Sequence, residues 1–412
     1  MDTRVVTITN PKLVMQAKHK QAYLQACDVA NRADRLKVEG AKRELVDLAR
    51  LHLKRAQKYH FNSIALRLAG FLQSYFHNMA HDARRGNIFR DIRKKYQDLY
   101  FLEEEIDTIY LELSFQINSK RSPSKSIIER LNHICEEYRN YIHSDSIPIR
   151  VRVVILHISR AFINHDYDQA IELCNNVIAW LEEEGFAYFS GFYSYLALAY
   201  IVKGRYSDGL CSIENAINAC PVGTNNWSVF QVNKFILYAH SGDFESAKET
   251  FFVAAEKMPD NAALKEQWLI IKGYMRFLSS CEVIDGVGRL RLGKFFNEIP
   301  IFSADKEGNN INIIILFILL NLKKGKGDII EKAEAIGKYI SRHLNYNARA
   351  RIFLKMLLKI PQYDFKRRAV EFRTQKELSL LHKNPIQVVG MNEVEIIPYE
   401  ALWGLILDNL KN

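Results

Sequence analysis

The residues of this chain that could do chemistry fall into a few small groups. Gly288-Arg289-Leu290-Arg291-Leu292-Gly293-Lys294-Phe295 has the G-x-x-x-x-G-K spacing of a phosphate-cradling loop. Such a loop needs a Ser or Thr hydroxyl next, to hold magnesium, and a buried strand before it. Phe295 occupies that place and the surroundings read as helical, so a plain helix-to-helix connection is the competing reading. His77 and His81 are four residues apart and on a helix would share a face able to hold a metal ion. Asn78, not a glutamate, follows His77 and no third ligand is near, so a structural or surface histidine pair is the alternative. The chain lacks G-x-S-x-G and any local cysteine-protease signature. No catalytic residue is assigned, and no metal or cofactor is expected.

A second kind of chemistry, phosphate binding, could come from Arg84, Arg85, Arg90, Arg93, Lys94 and Lys95, with Phe89, Tyr96 and Tyr100 interleaved. The cations would neutralise phosphates while aromatic rings stack on bases. On a helix, however, the three aromatics lie near one apolar stripe and would be core, and Glu103, Glu104 and Glu105 on the next turns would offset the arginines. The whole-chain charge of +10 at first favours a polyanion partner. Its distribution weakens that reading: residues 1–150 carry a net +8, residues 151–259 a net −5 and residues 260–412 a net +7. Basic segments on either side of an acidic middle fit charge complementarity within or between chains equally well, so self-association into a homo-oligomer is a further expectation.

The elements that must carry these residues are helical. Only 19 glycines and 9 prolines occur in 412 residues, too few turn formers for a many-stranded protein, while 48% hydrophobic residues suffice for a buried core. Apolar periodicity predicts helices near 12–38, 42–58, 62–82 and 87–118, then one capped around Ser122-Pro123 and running to 143. Further helices are expected at 262–280, 310–323, 328–343, 346–359 and 364–382. Ile386 to Val389 and Val394 to Ile397 flank Gly390-Met391-Asn392-Glu393 as a short β-hairpin candidate, before a last helix near Pro398. The N-terminus does not read as a signal peptide, and the most apolar run, Ile313 to Leu320, is too short to cross a membrane. The six cysteines are scattered without a C-x-x-C pair. A cytoplasmic protein without membrane contact is therefore expected.

Internal repetition organises the middle. The linkers His165-Asp166-Tyr167, Gly204-Arg205-Tyr206 and Gly242-Asp243-Phe244 recur with their aromatics 39 and then 38 positions apart. Each is followed by a small residue (Ala170, Gly209, Ala247), then a larger apolar one (Cys174, Ile213, Phe251), then Val177, Ala216 and Ala254, all on one helical face. Pro221 and Pro259 end two of the units. In residues 190–221, Tyr193, Leu196, Ala197, Tyr200, Gly204, Tyr206, Gly209, Ile213, Ala216 and Pro221 stand at the signature spacings of the tetratricopeptide repeat, which this region resembles. The unit 228–259 keeps most of the pattern but has Lys234 where leucine is usual, and the unit 151–182 is weaker. The tail Glu395-Ile396-Ile397-Pro398-Tyr399-Glu400-Ala401-Leu402-Trp403 is similar to the end of an uncharacterised Bacteroidetes group of helical-repeat proteins, a similarity that supplies no activity.

The resemblance implies an all-α fold, an α-solenoid of stacked antiparallel helix hairpins, with the short C-terminal β-hairpin as its exception. Its expected parts are a basic N-terminal helical region (1–150), three tetratricopeptide-like units (151–259), degenerate C-terminal repeats (260–385) and the hairpin with its terminal helix (386–412). It also implies a ligand groove along the first helices. The corresponding positions are Arg152, Ile155, Leu156 and Ser159; Ser194, Tyr195, Leu198 and Val202; and Val232, Asn233, Ile236 and His240. The Lys/Asn/Arg carboxylate clamp known in that superfamily is mostly missing here, so the groove would suit an apolar peptide or amphipathic helix, from a partner or from the chain's own flanking helices. The expected function is a non-enzymatic scaffold that binds a protein or peptide. A nucleic-acid-associated factor using the basic N-terminal helices is the alternative.

Overall fold

The computed structural model describes residues 17–39, 43–119, 123–184, 190–288, 309–322, 326–343, 347–388 and 394–410. Seventeen α-helices can be followed there: α1 Ala17–Glu39, α2 Arg43–Lys58, α3 Asn62–Asn78, α4 Ala83–Ser119, α5 Lys125–Glu137, α6 Ile147–Ile163, α7 Tyr167–Glu183, α8 Ser190–Val202, α9 Tyr206–Asn218, α10 Asn225–Ser241, α11 Phe244–Glu256, α12 Ala262–Ser280, α13 Asn309–Asn321, α14 Lys326–His343, α15 Ala348–Gln362, α16 Arg367–Lys383 and α17 Tyr399–Asp408. A 3₁₀ turn, Arg139–His143, joins α5 to α6. The expected helices are present, several ending within a residue or two of their predicted bounds.

Neighbouring helices pack as antiparallel pairs, and the first helices of successive pairs, α8, α10 and α12, also pack on one another. This all-helical pattern is compatible with a helical repeat. The linkers explain how the chain reverses each time. His165, Gly204 and Gly242 take φ of 58°, 68° and 82°, the left-handed region, so the backbone leaves the helix in the same way at each site. The next amide then bonds back five residues: Asp166 to the Ala161 carbonyl (2.8 Å), Arg205 to Tyr200 (2.9 Å) and Asp243 to Tyr238 (2.9 Å). Asp166 and Asp243 also cap the helices that follow, accepting from the Gln169 and Ser246 amides. The same signature recurs at Tyr59-His60-Phe61, where His60 has φ 56° and the Phe61 amide bonds the Ala56 carbonyl at 2.9 Å.

Among the described residues, buried apolar side chains form two clusters. The smaller spans α1 to the first half of α4, ending at Tyr96; the larger begins at Ile106 on the same helix and runs to α17. Helix α4 joins them through a stripe spaced alternately by three and four residues: Phe89, Ile92, Tyr96, Leu99, Glu103, Ile106, Tyr110, Leu113 and Ile117. One carboxylate, Glu103, interrupts that stripe between the two clusters.

Two expectations are corrected. No β-hairpin is present among the described residues of the tail: 385–388 and 394–397 contain no strand, and two of their backbone groups, the Val388 amide and the Glu395 carbonyl, bond to side chains of the helical body instead of to each other. Val389, the last residue of the expected first strand, and the intervening turn, Gly390 to Glu393, lie outside the described residues, as do residues 289–295 of the phosphate-loop spacing. Helix α3 stops at Asn78, and His81 has a left-handed φ of 49°, so His77 and His81 do not share a helical face. A Cβ added at Gly86 would come within 2.6 Å of the His77 ring, which therefore closes against the start of α4. Among the described residues no group of three or more His, Cys, Asp or Glu could hold a metal ion.

Candidate functional site

Nine of the twelve residues expected along the groove, among them Ser159, Ser194, Leu198, Asn233, Ile236 and His240, are buried, and Arg152, Tyr195 and Val202 are half-buried. Helix-to-helix packing uses most of them. Asn233 donates from Nδ2 to Ser194 Oγ at 3.0 Å, tying α10 to α8. Ser159 donates to the Ile155 carbonyl of its own helix at 2.9 Å. The Tyr195 ring lies 6.1 Å from that of Phe162, and burial pushes its hydroxyl well above the usual phenol range. Arg152 bonds Asp107 at 2.6 Å and covers the Tyr110 ring at 4.5 Å, linking α6 to α4.

His240 faces the chain's own tail. Its Nε2 lies 2.6 Å from the Glu395 carbonyl, which can only accept, so the proton is on Nε2. Burial, assisted by the charge of Arg349, lowers this imidazole to about 4, so it is neutral at pH 7. The tail makes a second main-chain contact at the Val388 amide, which donates to Tyr167 Oη at 3.1 Å. Tyr167 ends the linker of the first hairpin and His240 shortly precedes that of the third, so Val388 and Glu395 both lie at the linker end of the repeats. Ile396, Ile397 and Val388 bury their side chains there.

A charged knot holds the tail. Arg349, at the start of α15, donates from Nε to Glu395 Oε1 at 2.5 Å and from Nη2 to Glu395 Oε2 at 3.1 Å and Glu400 Oε2 at 2.6 Å. Its Nη1 donates to the carbonyls of Leu381 (2.9 Å) and Asn384 (2.5 Å). The Tyr399 amide donates to Glu395, and the Tyr399 ring stacks on Phe353 with centroids 4.5 Å apart. No family model matches this chain, and no curated protein or solved structure matches it. Its function must therefore be argued from its own geometry.

The six basic residues of α4 are all exposed. Arg85 bonds Asp82 at 3.3 Å, Arg90 bonds Asp91 at 3.1 Å and Arg93 reaches Gln73 at 3.2 Å. At about 100° per residue, Arg84, Arg90, Lys94 and Lys95 share the outward side of the helix with Asp91 and Asp98. Of the interleaved aromatics, Tyr96 is buried and Phe89 stacks on Phe76 at 5.5 Å. Glu103 does not offset the arginines: it accepts from Asn62 and Ser146, and Glu105 accepts from the Tyr138 hydroxyl.

Sequence reasoning missed Arg349, and a signal was present. It stands four residues before Phe353 and eight before Leu357, on the buried stripe of α15, where a charge demands a buried partner. No local spacing pointed to Glu395, 46 residues away.

Proposed function

We propose that this protein is a non-enzymatic α-solenoid scaffold of tetratricopeptide type that binds an extended segment of another protein along the linker edge of its repeats. The observation that supports the reading is how the tail is held: the Val388 amide bonds to Tyr167, the Glu395 carbonyl to His240 and the Glu395 carboxylate to Arg349. Main-chain bonds, a charged anchor and buried apolar side chains are means by which a peptide segment is read. The partner would carry a glutamate followed by two branched apolar residues, as in Glu395-Ile396-Ile397.

A labelled peptide spanning residues 385–398 tests this. Fluorescence anisotropy should show saturable binding to a Glu395→Gln chain, whose own tail is loosened, and weaker binding to the unaltered chain. No saturable binding to either would sink the reading. The alternative, a nucleic-acid-associated factor, rests on the exposed cations of α4. It stands second because Asp91 and Asp98 lie among them and would repel phosphates.

A further inference from the structure

A cleft of about 380 Å³ opens between the 3₁₀ turn, α6 and α7. Its polar lining consists of Arg139, Asn140, His143, Arg150, Glu172 and Asn176, over a floor of valine, leucine and isoleucine carbons. The size falls within the ~300–1,000 Å³ usual for small-ligand sites.

Arg150 is the anomaly in it. This guanidinium packs on the Trp180 ring at 3.9 Å, and its Nε is buried with no hydrogen-bond acceptor. No carboxylate forms an ion pair with it among the described residues; Asp145 and Glu184 act on it only through longer-range attraction. Other arginines at comparable or greater depth are matched: Arg152 by Asp107 at 2.6 Å, Arg160 by Glu136 at 2.8 Å and Arg349 by Glu395 at 2.5 Å. Position adds to the imbalance, since Arg150 lies in the first turn of α6, where the helix dipole is positive and favours an anion over a cation. A partly buried cation without a counter-ion is costly unless something supplies one.

We infer that this cleft binds a small organic phosphate monoester. Three groups in it, Arg150, Arg139 and His143, can donate to a tetrahedral oxyanion, and arginine forks suit phosphate geometry. Asn140 and Asn176 offer amides to the body of the ligand. Glu172, also in the lining, opposes anionic charge near it and accepts from a ligand hydroxyl. The size of the cleft favours a small molecule over a macromolecular backbone.

Isothermal titration calorimetry and thermal melts of the full chain test the assignment, with glycerol 3-phosphate, inorganic phosphate and sodium sulfate as probes. Glycerol 3-phosphate should bind saturably and raise the melting midpoint, inorganic phosphate more weakly, and sulfate at matched ionic strength least. Arg150→Met should weaken glycerol 3-phosphate binding at least tenfold, with helical circular dichroism confirming a folded chain. Asn176→Asp, a change at an exposed position, should weaken it as well by placing a carboxylate in the cleft. Equal responses to all three probes, or unaltered binding in both folded variants, would overturn the inference.

Discussion

At the scale of single residues, Glu103 has the sharpest consequence. Its carboxyl accepts from Asn62 Nδ2 at 2.9 Å and Ser146 Oγ at 3.3 Å, and Asn62 also donates to Ser146 at 3.2 Å. Burial outweighs these bonds, aided by the charges of Glu104 and Asp107, and raises the carboxyl from 4.5 to about 7. The folded state therefore holds a proton that the unfolded state has released, and stability contributed by this group is lost as pH rises from about 4.5 through about 7. His240 runs the other way: lowered from 6.5 to about 4, it contributes stability above 6.5 that disappears as pH falls through 4. Glu103→Gln, which mimics the protonated acid, should remove the first trend, raising stability at pH 8 by up to ~3 kcal/mol with little change at pH 5. Melting midpoints of both chains from pH 4 to pH 8 check this. An identical pH profile for the two would mean that Glu103 is ionised in the fold. The alternating three-and-four spacing through Glu103 is visible in the sequence. Its partners are not, because Asn62 and Ser146 lie 41 and 43 residues away and meet it only once α3, α4 and α6 have packed.

At the scale of elements, the linkers were legible and the register between hairpins was not. Left-handed linker residues, cap aspartates and the small residue after each aromatic act within a few positions of one another, so their spacing is written locally. What aligns one hairpin on the next is a set of buried side-chain bonds between residues about 40 apart: Ser194 with Asn233, the Trp268 indole with Ser228 at 2.9 Å, and the Tyr274 hydroxyl with Asn312 at 2.8 Å. Nothing in the periodicity distinguishes these polar residues from groove residues, which is why Ser194 and Asn233 read as ligand contacts. Two substitutions separate local from inter-hairpin effects. Gly209→Ala would bring a Cβ to 2.5 Å from Leu237 Cδ2 on the next hairpin, and with Leu237 fully buried the expected cost is ~1–3 kcal/mol. Ser228→Ala leaves the buried Trp268 N–H without an acceptor and should cost ~1–3 kcal/mol as well. Urea denaturation midpoints give both values; a neutral Ser228→Ala would mean that another group takes the indole proton.

At the scale of the whole molecule, the tail ties distant parts of the chain together, bonding back across 221 residues at Tyr167 and 155 at His240. Sequence alone suggested a hairpin there because alternating branched residues around a glycine fit a strand pair. Tertiary bonding overrode that preference: once Tyr167 and His240 claim the backbone groups, they are not available for a ladder. The Arg349 knot then decides how firmly the tail is held, and its asymmetry predicts unequal effects of breaking it. Removing the cation by Arg349→Met strands two carboxylates, Glu395 and Glu400, and frees the Leu381 and Asn384 carbonyls, at an expected cost of about 3–5 kcal/mol. Glu395→Gln leaves Arg349 paired with Glu400 and both carbonyls, so the loss should be smaller, ~1–3 kcal/mol. Hydrogen exchange at the Val388 and Tyr399 amides should accelerate in both variants, more in Arg349→Met, while the Asp166 and Asp243 linker amides change less. Equal acceleration at tail and linker amides would show that the tail unfolds only with the repeats, and the strip it covers would then not open to a partner without global unfolding.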